Sequence, residues 1–444
     1  MRQQITKVNY NALYASSSRA FSIDGTGSAS IEFALNKGLA RIPVPISGVF
    51  RNLTILTNTS FKGTMTLTLY KNNIPTSLSV SIQQGETKGT NSSDSVSVNI
   101  NDDVRFEITG NSVGFPGYPV AYAIEFEGDS QFYGLGSSWG SFNIGQFWQG
   151  GILGGGHPQD TPGGGIGPLS NFYNICSVAG SIKRLHLKAF NGPPGIGIWT
   201  GRLIKNTIIQ DGSGGTIDTT TIITGSDEFA FKEFNLTIVP SDTVELAILR
   251  TGSNLPFSTV PLVGSSIEFV PDDGISYMLT GGNNNAISVS NIGWRFNDND
   301  QLETSEARSN SIIGKNGLVI RGLYVRWNTA PGTPGDYWTI TLRKNYADTS
   351  ITMDVPNQTG VVLSDVEFVH NDEITIELDP INTPTNSGFR WGLAAISPSY
   401  SGIYKSVPIT EQRHDIIYTN ARLGITVNKK IPDPFIRTAL IGDE

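Results

Sequence analysis

Three short strings recur three times, in one order, along this chain, and that recurrence constrains its fold more than any other feature. The first ends a strand: Thr66-Leu67-Thr68-Leu69-Tyr70-Lys71-Asn72, then Leu203-Ile204-Lys205-Asn206, then Leu342-Arg343-Lys344-Asn345. The Lys–Asn pairs step by 134 (205 minus 71) and 139 (344 minus 205). Upstream, Leu53, Leu185 and Leu323 each follow a basic residue (Arg51, Lys183, Arg321) and step by 132 (185 minus 53) and 138 (323 minus 185). Downstream, Asp102, Asp242 and Asp372 each precede an apolar alternation and step by 140 (242 minus 102) and 130 (372 minus 242). A similar step, 130 to 140 residues, shared by three landmarks in one order is the signature of a tandem array of three similar modules.

Length agrees with that count, since 444 residues correspond to about three domains of 100–200 residues. Each module is long enough to bury a core without staples. The charge balance, 31 basic against 39 acidic residues for a net −8, argues against a nucleic-acid binder. The one cysteine, Cys176, excludes an intrachain disulfide and any multi-cysteine metal site. The first residues, Met1 to Lys7, carry no apolar signal-peptide core, and no run of about 18 apolar residues suits a membrane span. A product released into the cytoplasm as a soluble protein, or reaching the outside by assembly or lysis, is expected.

Along the chain the apolar period is two, the period of a strand. Met65, Leu67 and Leu69 oppose Thr64, Thr66 and Thr68, and similar alternation runs through 28–35, 48–57, 95–100 and 104–108. With turn signals between short strands and no helical period, the expected class is all-β: three tandem antiparallel β-sandwich modules of jelly-roll type. The expected borders are an N-terminal arm at 1–24, modules at 25–136, 137–281 and 282–405, and C-terminal strands and tail at 406–444. The second module carries glycine-rich stretches around 150–156 and 162–165 that cannot be regular strand.

The chemistry-bearing residues favour structure over catalysis. Asp102, Asp242 and Asp372 stand where a carboxylate caps backbone N–H groups in a turn. Arg51, Lys183 and Arg321 share parity with the leucines that follow, which predicts stems laid on the rim of the core with wet charges. His157, His186, His370 and His414 lack metal-ligand spacing, and no nucleophile elbow, zinc-protease or P-loop string occurs. Asn297-Asp298-Asn299-Asp300 lacks the glycine and closing glutamate of a calcium loop. No cofactor and no metal are expected. Aromatic residues beside glycine and proline, Phe115, Tyr118, Trp139, Trp148, Trp327 and Trp338, are the candidate contacts for a partner or a glycan.

One string carries a resemblance. Arg321-Gly322-Leu323-Tyr324-Val325-Arg326-Trp327-Asn328-Thr329-Ala330-Pro331-Gly332 followed by Thr339-Ile340-Thr341-Leu342-Arg343-Lys344-Asn345 resembles a β-sandwich repeat of uncharacterised phage and environmental viral proteins. The Gly-Asp of that repeat is Asn371-Asp372 here, and modules one and two keep less of it. The resemblance brings no catalytic residue. It implies a non-enzymatic virion component, a fibre, appendage or capsid-surface protein, located in the virion. The expected partners are further copies of the chain and other virion proteins, with no nucleic acid and no membrane insertion. The alternative is a carbohydrate-binding adhesin gripping host surface glycan through its loop aromatics; a glycan-cleaving enzyme has no motif in its favour.

Overall fold

The computed structural model describes residues 2–9, 19–21, 41–60, 63–110, 120–128, 133–139, 147–150, 159–161, 173–189, 197–206, 208–209, 220–224, 229–252, 263–283, 293–294 and 305–398. Among them the chain is all-β, with thirty strands in six antiparallel sheets and one four-residue helix.

The first nine strands are β1 (Arg2–Asn9), β2 (Arg19–Phe21), β3 (Ile42–Pro43), β4 (Gly48–Thr57), β5 (Met65–Lys71), β6 (Ile74–Ile82), β7 (Lys88–Val98), β8 (Asp103–Gly110) and β9 (Val120–Gly128). They form two sheets, β1-β9-β4-β7 and β2-β8-β5-β6, with β3 also on β8. Next come β10 (Tyr133–Trp139), β11 (Phe147–Gly150), β12 (Gln159–Thr161), β13 (Asn174–Ile175), β14 (Gly180–Ala189), β15 (Gly197–Lys205), β16 (Ile208–Ile209), β17 (Thr221–Thr224), β18 (Phe229–Ile238), β19 (Thr243–Gly252) and β20 (Val263–Pro271). Their sheets are β10-β20-β14-β18 and β12-β11-β19-β15-β16, with β13 on β19 and β17 on β15. The remainder are β21 (Ser276–Asn283), β22 (Gly293–Trp294), α1 (Glu306–Ser309), β23 (Ser311–Ile312), β24 (Leu318–Trp327), β25 (Tyr337–Lys344), β26 (Ala347–Val355), β27 (Thr359–Val362), β28 (Val366–Phe368), β29 (Glu373–Ile381) and β30 (Phe389–Ile396). These give β21-β30-β24-β27, with β28 on β24, and β22-β29-β25-β26, with β23 on β29. One strand order thus recurs three times.

Alternation explains the core. Met65, Leu67 and Leu69 are fully buried while Thr66 and Thr68 are half-buried, and Thr66 Oγ1 meets Ser81 Oγ across the strands at 2.8 Å on the wetter face. Both sheets of the first pair contribute to one cluster, in which Phe50, Leu53 and Ile124 from one sheet join Leu67, Phe106 and Ile108 from the other. Each such side chain contributes about 1.5–3 kcal/mol when removed from water.

A bulge recurs too. Pairing slips between Arg51 and Leu53, between Ile182 and Arg184, and between Ile320 and Gly322. An extra residue resets the period of two, so the parity argument for Arg51, Lys183 and Arg321 fails. Arg51 instead pairs with Glu127, and Lys183 donates to Asn235. Arg321, expected to keep its charge wet, is buried, with Nε 3.7 Å from Asp365.

Three further expectations need correction. Residues 2–9 are not a separate arm but the edge strand β1, paired with β9 along its whole length and burying Gln3 and Ile5. Backbone pairing needs no apolar composition, which is why a polar sequence concealed it. The borders at 136/137 and 281/282 fall inside β10 and β21, and both strands bond forward, to β20 and β30. The expected strand at 28–35, the glycine-rich stretches beyond Gly150 and everything in 406–444 lie outside the described residues.

The copies also trade volume. Gly48 and Gly180 lie beneath Phe126 and Phe269, where an added Cβ would stand 2.4 Å and 2.7 Å from the ring and 2.5 Å and 2.3 Å from the backbone carbonyls of Glu127 and Val270. In the third copy the register puts Leu318 and Ala395 at those places. Gly180→Leu alone is therefore expected to destabilise by about 1–3 kcal/mol or more through overpacking. Gly180→Leu with Phe269→Ala should recover part of that loss in a denaturant double-mutant cycle; strict additivity would refute the exchange.

Candidate functional site: triplicated clamps and the aromatic residues

The recurring Lys-Asn string ends β5, β15 and β25, and each asparagine takes a left-handed backbone, Asn72 at φ 49°, Asn206 at 51° and Asn345 at 51°. Asn tolerates that region. In the first and third copies the next residue, Asn73 (φ 66°) or Tyr346 (φ 65°), does the same. Two such residues between strands make the tight hairpin turn that matches strand twist.

Each turn is tied to the turn that carries the recurring aspartate. The Asn72, Asn206 and Asn345 amides donate to Asp102, Asp242 and Asp372 at 2.6, 2.7 and 2.7 Å. Their oxygens accept the N–H of Asp103, Thr243 and Glu373 at 2.9, 2.8 and 2.8 Å. The second carboxylate oxygen accepts the N–H of Asn99, Val239 or Val369 at 2.7, 2.8 and 2.7 Å. Lys71, Lys205 and Lys344 stand 2.9 Å from the same carboxylates. Each lysine also donates to a strand carbonyl, Ser97, Thr237 or Glu367, at 3.0, 2.9 and 2.8 Å.

Burial alone would raise these three carboxyls, yet hydrogen bonds and the adjacent lysine hold each below the usual aspartate range. Both oxygens of each are engaged, so the arrangement is a clamp between two hairpins and does no acid–base work.

The aromatic candidates do not form one site. Phe115 and Tyr118 lie outside the described residues. Trp139 is in β10 opposite Val263, and Trp148 in β11 opposite Ile248 and Asp160. Trp327 and Trp338 are brought together, but inside: both are fully buried, stacked at 4.8 Å and 25°, with Phe389 4.7 Å from Trp327. They are corrected to core residues. Parity held the signal, because Trp327 continues Leu323 and Val325, and Trp338 opens onto Ile340 and Leu342, all buried.

Among the described residues no group of three His, Cys, Asp or Glu is placed to hold a metal. His157, His414 and Asn297-Asp298-Asn299-Asp300 lie outside the described residues. Cys176 is fully buried, which pushes its thiol up. Two displaced groups escaped the sequence reading. Burial pushes the Glu245 carboxyl up to about 8 despite Arg390. Burial, reinforced by Arg184, pushes the His186 imidazole down to about 3, beside the rings of Phe229 and Phe231 at 5.6 and 5.8 Å. The chain matches no protein-family model, and no curated protein matches it significantly.

Replacing Asp242 by Asn should destabilise by about 1–3 kcal/mol in chemical denaturation, with Asp102→Asn and Asp372→Asn similar. The folded carboxyls titrate below the unfolded value of 3.8. Their stabilisation is therefore complete above that pH and lost as pH falls through the folded value, and the triple variant should lose less stability on acidification. His186 has the opposite charge logic. It is neutral when folded and protonates near 6.5 when unfolded, so its contribution disappears as pH falls from about 6.5 towards 3. His186→Thr should flatten the stability profile across that window; an unchanged slope would show that the imidazole is not buried neutral.

Proposed function

We propose that this chain is a non-enzymatic structural protein of a phage-like virus particle, a fibre, appendage or capsid-surface component, built from three tandem β-sandwiches of jelly-roll type. The observation that carries the reading is the strand order. In the first copy, β1-β9-β4-β7 facing β2-β8-β5-β6 places the first strand beside the last and the second beside the last but one. That is the nested arrangement of a double-sheet jelly roll, the architecture of viral capsid and lectin domains. Its threefold repetition in one chain suits a surface-building protein. The resemblance of the Arg321–Asn345 string to viral repeats supports the same assignment by analogy.

The glycan-binding alternative shares the jelly-roll architecture and loses Trp327 and Trp338 to the core, leaving Phe115, Tyr118, Trp139 and Trp148 as its candidates. We place the protein in the virion, in contact with other virion proteins, without a cofactor. Quantitative mass spectrometry of purified particles should find it at a fixed copy number per particle. Its absence from particles, together with specific binding on a glycan array, would favour the adhesin. Release of reducing ends from host polysaccharide would overturn both readings.

A further inference from the structure

Three short strands occupy equivalent places in the three copies. In β3, β13 and β23 the following residue, Val44, Cys176 or Ile313, donates its N–H to the clamp aspartate's carbonyl at 2.7, 2.8 and 2.9 Å. The carbonyl of the same residue accepts from Asn101, Ser241 or Asn371 at 3.0, 2.8 and 3.0 Å. Each short strand also lies against a sheet of a different copy. β3 rests on β10, β20 and β14 of the second copy, β13 on β21, β30 and β24 of the third, and β23 on β1, β9 and β4 of the first. The receiving strands are the same three types every time, and the third contact returns to the beginning.

Side chains repeat the pattern. At the first seam Lys188 Nζ lies 2.8 Å from the Asn101 carbonyl and 3.0 Å from Asp103. At the closing seam Lys88 Nζ lies 3.2 Å from the Asn371 carbonyl and 3.0 Å from Glu373. Asn101 and Asn371 are equivalent by register, as are Asp103 and Glu373. The middle seam sets Arg326 and Arg390 over the Tyr173 ring at 5.7 and 5.8 Å, and Asn174 donates to Thr280 at 3.1 Å. Ile312 closes the ring in a buried cluster with Leu56, Ala121 and Ala123. Beside it Asn316 gives its amide and its backbone N–H to the buried Glu125 at 2.6 and 3.1 Å. At the middle seam a Cβ on Gly392 would stand 2.7 Å from the Ile175 carbonyl, so strand and sheet meet there backbone to backbone.

Head-to-tail contacts of one kind either propagate or close into a ring. These close after three steps. We propose that one chain is a complete pseudo-threefold ring, a trimer of units in a single polypeptide that is monomeric in solution, and that it docks on a three-fold-symmetric assembly of the particle. Among the described residues every donor strand and every receiving sheet is used once within the chain, which leaves a further copy no seam of this kind to extend. The equivalent turns project exposed apolar side chains, Val239 and Val369 at one equivalent position and Ile100 one place further on in the first copy. A protein partner sharing the axis engages all three turns at once and gains from their linkage what one small contact cannot supply. Closure within the chain is independent of the virion reading; the three-fold docking site rests on it.

Light scattering across a wide concentration range should return the mass of one chain; a stable trimer would overturn closure. Lys88→Glu and Glu373→Lys should each lower the melting temperature by about 2–4 °C, and both in one chain should restore it. Mixing the two single variants should restore nothing, because the seam forms within a chain; rescue on mixing would show that it forms between chains. In purified particles, electron cryomicroscopy should place the ring on a three-fold axis, in contact through the Val239 and Val369 turns. A five-fold or general position would overturn the docking site and leave closure standing. Absence from particles would remove the virion reading and the docking site together, with closure still decided by the mass and the mixing experiment.

Discussion

A part-buried aspartate that accepts from an asparagine amide, a backbone N–H and a lysine at once ties two hairpins together in each copy of this fold. Hairpin geometry depends on it. Asn72, Asn206 and Asn345 hold left-handed backbones that cost free energy unless the surroundings compensate, and the clamp does so through both ends of the asparagine side chain. With the turns fixed, the registers of β5 on β8, β15 on β19 and β25 on β29 follow, and a one-residue slip in any of them would turn the buried face outward. The short strands that reach the neighbouring copy hang from the same turns, since their N–H and carbonyl groups bond to the clamp aspartate and the residue before it. Local turn chemistry and long-range assembly thus share one set of hydrogen bonds.

Alternating strands and repeated landmarks were legible because they are local: Met65, Leu67 and Leu69 declare their burial within five residues. The strand within 1–24 is not legible in its composition, because β1, with the sequence RQQITKVN, is held by backbone bonds to β9. The misplaced borders have a related origin. The strands expected to close the first and second modules, β10 and β21, instead open the second and third copies. For Trp327 and Trp338 parity with Val325 and Ile340 predicts burial, whereas their glycine and proline neighbours point outward. The Lys88–Asn371 contact spans 283 residues, and nothing in either local string announces it.

Where the copies differ, they differ in how one requirement is met. Phe126 over Gly48 and Phe269 over Gly180 give way to Leu318 and Ala395, a conserved volume with exchanged partners. At the third residue of β8, β19 and β29, Arg105 has Glu107 at 2.7 Å, burial pushes the Glu245 carboxyl up to about 8, and Thr375 Oγ1 meets Ser309 Oγ at 3.1 Å. A buried polar position has to be satisfied or neutralised, and the three copies have reached three solutions. The clamp keeps its aspartate, asparagine and lysine in every copy, whereas the apolar pair and this buried polar position are each met by different residues.

That freedom is what a single chain has over an assembly of identical ones. A homotrimer repeats every side chain at every seam, so a residue that strengthens one seam appears in all three. Here the position on the receiving sheet that carries Leu56 at the closing seam carries Lys188 at the first and Arg326 at the middle. Two residues nearer the bulge, on the same face, Thr54, His186 and Tyr324 alternate in the same way, all of them buried. Linkage also removes the concentration dependence of assembly, because each unit meets its neighbour at the effective concentration set by the connecting chain. The connections between the last strand of one copy and the first of the next, after Gly128 and after Pro271, are four residues long, short enough to keep that concentration high. Covalent linkage supplies the affinity that identical subunits would have to build into every interface, and the three seams are then free to carry three different chemistries on one pseudo-threefold frame.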